Sequence, residues 1–401
     1  MSWACSRSRS GISWPLVLSL VLAACGSQTP PADGTGDEGG AGGAGGQEKS
    51  GGSGGGKGGQ AGQAGSDSPA MGGTPAAGGS APEADAAAPP ATDDAAASED
   101  SGTPPGDGGQ GGTAVDPGDQ VPDRPLNVDK AMPQVYTLHF KPTDADPAST
   151  GKNESQTAIL DTSKTLQKKL VIVLAGSNGA PGPIEVVNFS ANLGFHAWAI
   201  AYHDEYTATE GVGNNPMVFG NSRFNELDGM GRAPAQVKVP RPESVEVRMM
   251  KGLAYLQTKN PQGDWGYYLQ KNGEVRWSDV IFIGHSHGAT SSAAFAKVRR
   301  VWRAISLSGP RDDNPLPATW LTMESATPID RYFGFTGTAD AQYKDHVKSM
   351  ELQKYIGKLT PVEGMQAPFG GTHRLQYNGG HGGSANCGNY AAVCKYMLGV
   401  E

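Results

Sequence analysis

Between Gly26 and Val135 the sequence has no phenylalanine, tryptophan or tyrosine. It also lacks a strict three-residue glycine period there, which argues against a collagen-like helix. The segment is built from Gly, Ala, Pro, Ser and Asp, with runs such as GGAGGAGG and SGGSGGGKGG. A chain of that composition cannot bury enough apolar surface to offset its ordering entropy, so residues 25–125 are expected to form a disordered tether. A glycine-rich coil of this length has an average end-to-end distance of roughly 50–60 Å, enough to hold a folded domain clear of a surface.

Positive charge is scarce in the same stretch. Residues 26–125 hold fifteen acids against Lys49, Lys57 and Arg124, a net of -12, while the whole chain carries -8. Arg7 and Arg9 add +2 near the N-terminus, which leaves residues 126–401 at about +2. The acidity therefore belongs to the tether and says nothing about a substrate, and no basic face for nucleic acid is expected.

Long hydrophobic runs are missing too. The longest apolar stretch near the N-terminus, Ile12 to Ala23, is broken by Ser13, Pro15 and Ser19 and is too short to span a bilayer comfortably. Its position after Arg7 and Arg9 has the order of an export signal, expected to cover residues 1–24. The stretch ends in Leu22-Ala23-Ala24-Cys25-Gly26, which resembles a bacterial lipobox. That resemblance implies cleavage before Cys25, lipidation of its thiol and membrane attachment by several acyl chains. An ordinary signal peptide with a chance cysteine is the plainer alternative. Gly26 and Ser27 follow Cys25 with no aspartate, so the expected location is the bacterial cell envelope, at the outer membrane.

Only four cysteines occur. Cys5 would leave with the signal and Cys25 would carry lipid. Cys387 and Cys394 remain, and in an oxidising compartment they would form a short-loop disulfide, with two free buried thiols as the alternative.

The folded part is expected over residues 126–401, a size for one α/β domain. Strand-like runs read at Val135–Phe140, Lys169–Leu174, Ala197–Tyr202, Val280–Ile283, Ala304–Ser308, Arg331–Phe335 and Arg374–Tyr377. Helical patterns read at Pro242–Thr258, at Ala289–Val298 and near Tyr390–Leu398. Their alternation predicts an α/β fold, a doubly wound, mostly parallel sheet flanked by helices. Residues 214–241 have weak periodicity and read as a long loop rather than a full lid.

One segment carries the chemistry. An apolar strand from Val280 to Ile283 runs into Gly284-His285-Ser286-His287-Gly288, followed by the small-residue stretch from Ala289 to Ala294. In this strand–turn–helix context the Gly-x-Ser-x-Gly sequence resembles the nucleophile elbow of the α/β-hydrolase superfamily. The resemblance implies a serine hydrolase, with Ser286 as nucleophile followed along the chain by an acid and then a histidine. The segment Tyr332–Asp340 reads as a strand and a loop ending in Asp340, with Asp330 and Asp345 as rivals. His381 lies in Asn378-Gly379-Gly380-His381-Gly382-Gly383 just after the last strand, with His346 and His373 as rivals. In these roles Asp340 would orient His381, which would deprotonate Ser286 and reprotonate the leaving group.

The oxyanion hole would use the backbone N–H of His287 and that of Ser177 or Asn178, in the loop after the Leu170–Leu174 strand. Between Ser177 and Asn178 the sequence does not choose. That loop lacks the His-Gly pattern many family members carry there. His285 and His287 flank the nucleophile on diverging side chains with no carboxylate or thiolate cluster in sequence, so no metal site is expected, and no cofactor.

The motif Leu307-Ser308-Gly309-Pro310-Arg311-Asp312-Asp313 also resembles a largely uncharacterised group of bacterial and plant α/β hydrolases. Arg311 and Asp312 would either shape a pocket or pair to stabilise a loop. The segment Ala201 to Tyr206, with Trp265, Trp320 and Tyr332, would either line the mouth of the site or supply structural aromatics. No strongly apolar lid is evident, so the expected substrates are small-molecule or polymeric esters rather than lipid aggregates. The alternatives are a peptidase or amidase of the same fold and a non-catalytic, surface-tethered binding module. A monomer is expected.

Overall fold

The computed structural model describes residues 119–205, 215–313 and 316–400. The expected signal peptide, Cys25 and nearly all of the tether lie outside the described residues, as does Tyr206. Among the described residues no helix is long and apolar enough to cross a membrane.

Nine strands form one sheet: β1 (Val135–Phe140), β2 (Gln156–Asp161), β3 (Leu170–Leu174), β4 (His196–Ala199), β5 (Val280–His285), β6 (Arg303–Leu307), β7 (Tyr332–Gly337), β8 (Thr360–Pro361) and β9 (Arg374–Tyr377). Their spatial order is β1-β2-β4-β3-β5-β6-β7-β9-β8. β1 and β2 are antiparallel at one edge, and every pairing from β4 onward is parallel. The helices are α1 (Pro142–Ala145), α2 (Ile184–Asn192), α3 (Met217–Asp228), α4 (Val245–Lys259), α5 (His287–Val298), α6 (Tyr343–Leu352) and α7 (Ala391–Leu398). The expected doubly wound, mostly parallel α/β fold is what the chain adopts.

Alternation along β3 explains the layers. Successive side chains of a strand point to opposite faces, and all five residues of β3 are fully buried. Leu170, Ile172 and Leu174 join one core with Met249, Leu253 and Leu256 of α4 and Ala293 of α5. Val171 and Val173 join the other with Val186 and Val187 of α2 and Val393 and Met397 of α7. A sheet covered on both faces needs continuous apolar strands, and β3 supplies one.

Several boundaries shift for local reasons. The helix read from Pro242 is a short 3-10 turn at Arg241–Glu243 followed by α4, because the Ser244 hydroxyl accepts the Val247 N–H and caps a new start. The strand read as Ala197–Tyr202 stops at Ala199. From there the chain turns to hold the loop after β3, with the Tyr202 hydroxyl donating to the Ala175 carbonyl at 2.7 Å. Residues 217–228, read as loop, are helix α3. Its inward face carries Arg223, Asn225, Glu226 and Asp228 as well as Phe219, Phe224 and Leu227, so no apolar period marks it. β2 and α2 carry no expected element, and the rivals Asp345 and His346 both lie on α6.

The folded domain also starts earlier than residue 126. Asp119 pairs with Arg300 and Arg331 at 2.8 and 3.0 Å. The Gln120 N–H reaches the Ser278 hydroxyl at 2.9 Å, and Arg124 binds Asp264 with two N–H groups. Ser278, Arg300 and Arg331 precede β5, β6 and β7, so the incoming chain is held at the N-terminal ends of the parallel strands, opposite Ser286.

Close packing of α5 against the sheet rests on two glycines. A Cβ at Gly284 would come within 2.0 Å of the Gly288 carbonyl oxygen, and one at Gly288 within 2.3 Å of the Leu174 oxygen. Both obstacles are backbone and cannot swing aside. Gly288→Ala is expected to cost about 2 kcal/mol or more through overpacking, read as a fall of several degrees in the thermal midpoint. An unchanged midpoint would mean that α5 is not held this closely.

Candidate active site

β5 delivers Ser286 to the C-terminal edge of the sheet. Ser286 has φ 58° and ψ -116°, a backbone conformation that a residue with a Cβ rarely adopts. Such strain costs of order 1–3 kcal/mol and persists only where neighbours over-determine it. Here the Ser286 N–H donates to the Leu307 carbonyl at 2.9 Å, while its own carbonyl accepts from Ala289 and Thr290 at 3.0 and 3.3 Å. The turn thus joins β5 to the first turn of α5 and is pinned to β6. Ser286 lines a cleft of about 240 Å³ with Ser177, Arg223, His287, Thr290, Ser308, Arg311, Asp312 and Gln342.

At the same sheet edge, β7 and β9 supply Asp340 and His381. The His381 Nδ1 lies 2.7 Å from Asp340 Oδ2, and the other carboxylate oxygen accepts the Gln342 N–H at 2.9 Å. Burial alone would raise the Asp340 carboxyl. The Gln342 N–H and the His381 hydrogen bond outweigh it and hold the group below its ordinary value, as a carboxylate. The His381 main chain is anchored as well: its carbonyl accepts from the Ser308 hydroxyl at 2.5 Å and lies 3.1 Å from His285 Nε2. Ser384, three residues on, meets the Ser308 hydroxyl at 2.7 Å. Among the described residues no hydrogen bond joins the Ser286 hydroxyl to the His381 ring, a contact that often tightens only when substrate is bound.

The rival residues make other contacts. Asp330 is exposed at the start of β7, and His373 packs flat on Phe333 at that same far end, 3.9 Å between ring centres. Asp345 pairs with Arg311 at 3.0 Å. His346 is fully buried on α6 beside the Asp340–His381 pair, its Nδ1 2.8 Å from the Thr336 hydroxyl and 3.8 Å from Asp340 Oδ2, and burial pushes it down to about 4, so it stays neutral.

The two oxyanion-hole candidates in the β3 loop sit differently. The Asn178 N–H donates to the Asp204 carbonyl at 3.0 Å and is committed there. Ser177 lines the cleft with Ser286 and His287. A Cβ on neighbouring Gly176 would lie 3.3 Å from the Ser286 Cβ, so the loop passes directly over Ser286. Asp204 holds it there twice, since its carboxylate also accepts the Gly179 N–H at 3.2 Å. Asp204 is buried and paired with Lys152 at 2.7 Å, yet burial still raises its carboxyl.

A buried polar network that no sequence pattern marks forms one wall of the cleft. Asp312 accepts Arg223 Nε and Nη2 at 2.8 and 2.9 Å and Trp320 Nε1 at 2.9 Å. Arg223 Nη1 donates to the Ser291 hydroxyl at 2.9 Å, which donates to Glu226 at 2.8 Å. The other Glu226 oxygen lies 2.8 Å from His287 Nε2. The expected choice for Arg311 and Asp312 is thereby divided, because both line the cleft and both pair. Trp265, Trp320 and Tyr332 are at most 1% exposed and so are structural, and Tyr202 is buried too. Cys387 and Cys394 are bonded, 5.7 Å between Cα atoms, in the segment following His381.

No protein-family model matches this chain, and no curated protein does. Solved structures similar to it include the feruloyl esterase module from Clostridium thermocellum (13% identity over 69% of this chain and 92% of that one, TM-score 0.34). Esterase B from Lactobacillus rhamnosis is similar at 10% identity over 66% and 87%, TM-score 0.37. A dienelactone hydrolase from Anabaena variabilis is similar at 11% over 67% and 98%, TM-score 0.33.

Burial pushes the Glu226 carboxyl up to about 8 from an ordinary 4.5. The fold therefore favours the protonated form, and the associated stability is lost as pH rises from the ordinary value to about 8. Glu226→Gln, which mimics the neutral acid, is expected to gain stability relative to wild type between pH 5 and 8. Parallel thermal midpoints of the two proteins across that range would contradict this.

Proposed function

We propose that this protein is a serine hydrolase that cleaves carboxylic esters through an acyl-enzyme. The observation that carries the reading is a serine at positive φ on a strand-to-helix turn, with a histidine–carboxylate pair delivered to the same sheet edge by β7 and β9. This is the chain order that the α/β-hydrolase resemblance implies.

In this reading the Ser286 oxygen attacks the ester carbonyl as its proton passes to His381 Nε2. Asp340 keeps the Nδ1 proton facing itself and stabilises the imidazolium that forms. The backbone N–H groups of His287 and Ser177 receive the negative charge developing on the carbonyl oxygen. Collapse of the intermediate breaks the bond to the alkoxy oxygen, which leaves with the proton from His381. Water then repeats the sequence on the acyl-enzyme and releases the acid. The two dyad residues and the turn support the reading together, since neither would serve the other's purpose alone.

The export signal, lipidation at Cys25 and a tether holding the domain at the bacterial envelope belong to the same proposal, on the strength of the sequence of residues 1–118.

A fluorophosphonate probe tests the assignment. Wild type is expected to take up one label per chain, Ser286→Ala none, and His381→Ala to react at least 100-fold more slowly. Folded wild-type protein that takes no label would overturn the reading.

A further inference from the structure

The Ser308–Asp313 loop after β6 ties the site together, and one of its side chains is left over. Ser308 fixes the His381 carbonyl and Asp312 closes on Arg223 with two hydrogen bonds. Asp313 pairs with Lys348 of α6 at 3.2 Å. Arg311 lies between them. Its backbone N–H donates to the Thr290 hydroxyl at 3.0 Å, one residue into the turn whose N–H groups bind the Ser286 carbonyl, so it is docked within a helical turn of the nucleophile. Its guanidinium uses only Nε, toward Asp345 at 3.0 Å. Among the described residues Nη1 and Nη2 of Arg311 make no hydrogen bond, and neither does the side-chain amide of Gln342 beside them in the cleft.

The remaining charges of that wall are matched. Arg223 faces Asp312 in a buried pair, and Glu226, raised to about 8, is largely neutral at pH 7. Asp345, on the rim and 32% exposed, engages one edge of the Arg311 group and leaves the Nη fork open. A planar fork of two N–H donors at that spacing matches a carboxylate better than any neutral group.

We propose that Arg311 is a specificity-determining residue and that the ester cleaved here carries a free carboxylate, bound by the Arg311 Nη pair with the Gln342 amide beside it. The proposal rests on Ser286 being the nucleophile. The carboxylate could sit on the acyl or on the alcohol side of the scissile bond, and two matched pairs of substrates separate these. Monomethyl adipate against dimethyl adipate probes the acyl side. 4-Acetoxybenzoate against its methyl ester probes the alcohol side.

With the full-length protein and hydrolysis followed by acid release, one pair is expected to show a KM about tenfold or more lower for the anionic member. Arg311→Gln should raise that KM by a similar factor and leave the neutral ester within about twofold, and Arg311→Lys should restore only part of the difference. Equal KM values within both pairs would overturn the proposal. So would an Arg311→Gln loss of equal size on neutral and anionic esters, the mark of a purely structural role. Turnover of none of the four esters, with fluorophosphonate labelling of Ser286 intact, also counts against it. Absence of both turnover and labelling counts against the hydrolase reading instead.

Discussion

The first turn of α5 rests on the carbonyl groups of Leu174 and Ala175, and no Cβ fits between them at Gly288. That contact fixes how sharply the chain turns at Ser286, and the rest of the site is built outward from it. Because α5 starts so close to β3, the loop after β3 runs across Ser286, which brings Ser177, Ser286 and His287 into one cleft. Because Ser286 is pinned by the Leu307 carbonyl, the loop after β6 must begin beside it. The strained φ is thus a consequence of packing on three strands rather than of the turn alone.

Loops, not helices, do the remaining work of positioning. Ser308 reaches the carbonyl of His381, so a hydroxyl after β6 sets the height of a ring after β9. Asp204 after β4 holds the loop after β3 by both its carbonyl and its carboxylate. α3 adds a wall in which the buried polar groups meet partners: Arg223 with Asp312, and the largely neutral Glu226 with Ser291 and His287. An unpaired charge there would cost several kcal/mol, so the network is an all-or-none feature of the fold.

Legibility in the sequence followed the physics of each element. β3 and β5 were readable because buried parallel strands are apolar runs, while the shorter alternating strands β1 and β9 were placed to the residue. The elbow was readable because its glycines and serine sit at fixed spacing between a strand and an Ala-rich helix. Asp340 and His381 were readable by chain order, and the structure sets them 2.7 Å apart. α3 was not readable, since its buried face is polar and only tertiary partners make it pay. Arg223 and Glu226 were hidden for the same reason, and Ser308 because a single hydroxyl carries no period. Residues 119–125 looked like tether by composition, but Asp119 and Arg124 find arginine and aspartate partners that no local pattern announces. That the Asp204 carbonyl takes the Asn178 N–H is likewise a tertiary contact that no local pattern announces.

The central claim is that Asp340 and His381 act on Ser286 as one unit. A double-mutant cycle on kcat for 4-nitrophenyl acetate, comparing Asp340→Asn, His381→Ala and the double variant, tests it most directly. Residues of a working triad are grossly non-additive, so the double variant is expected to fall within about threefold of His381→Ala alone. Losses that multiply would show two independent contributions and contradict the account.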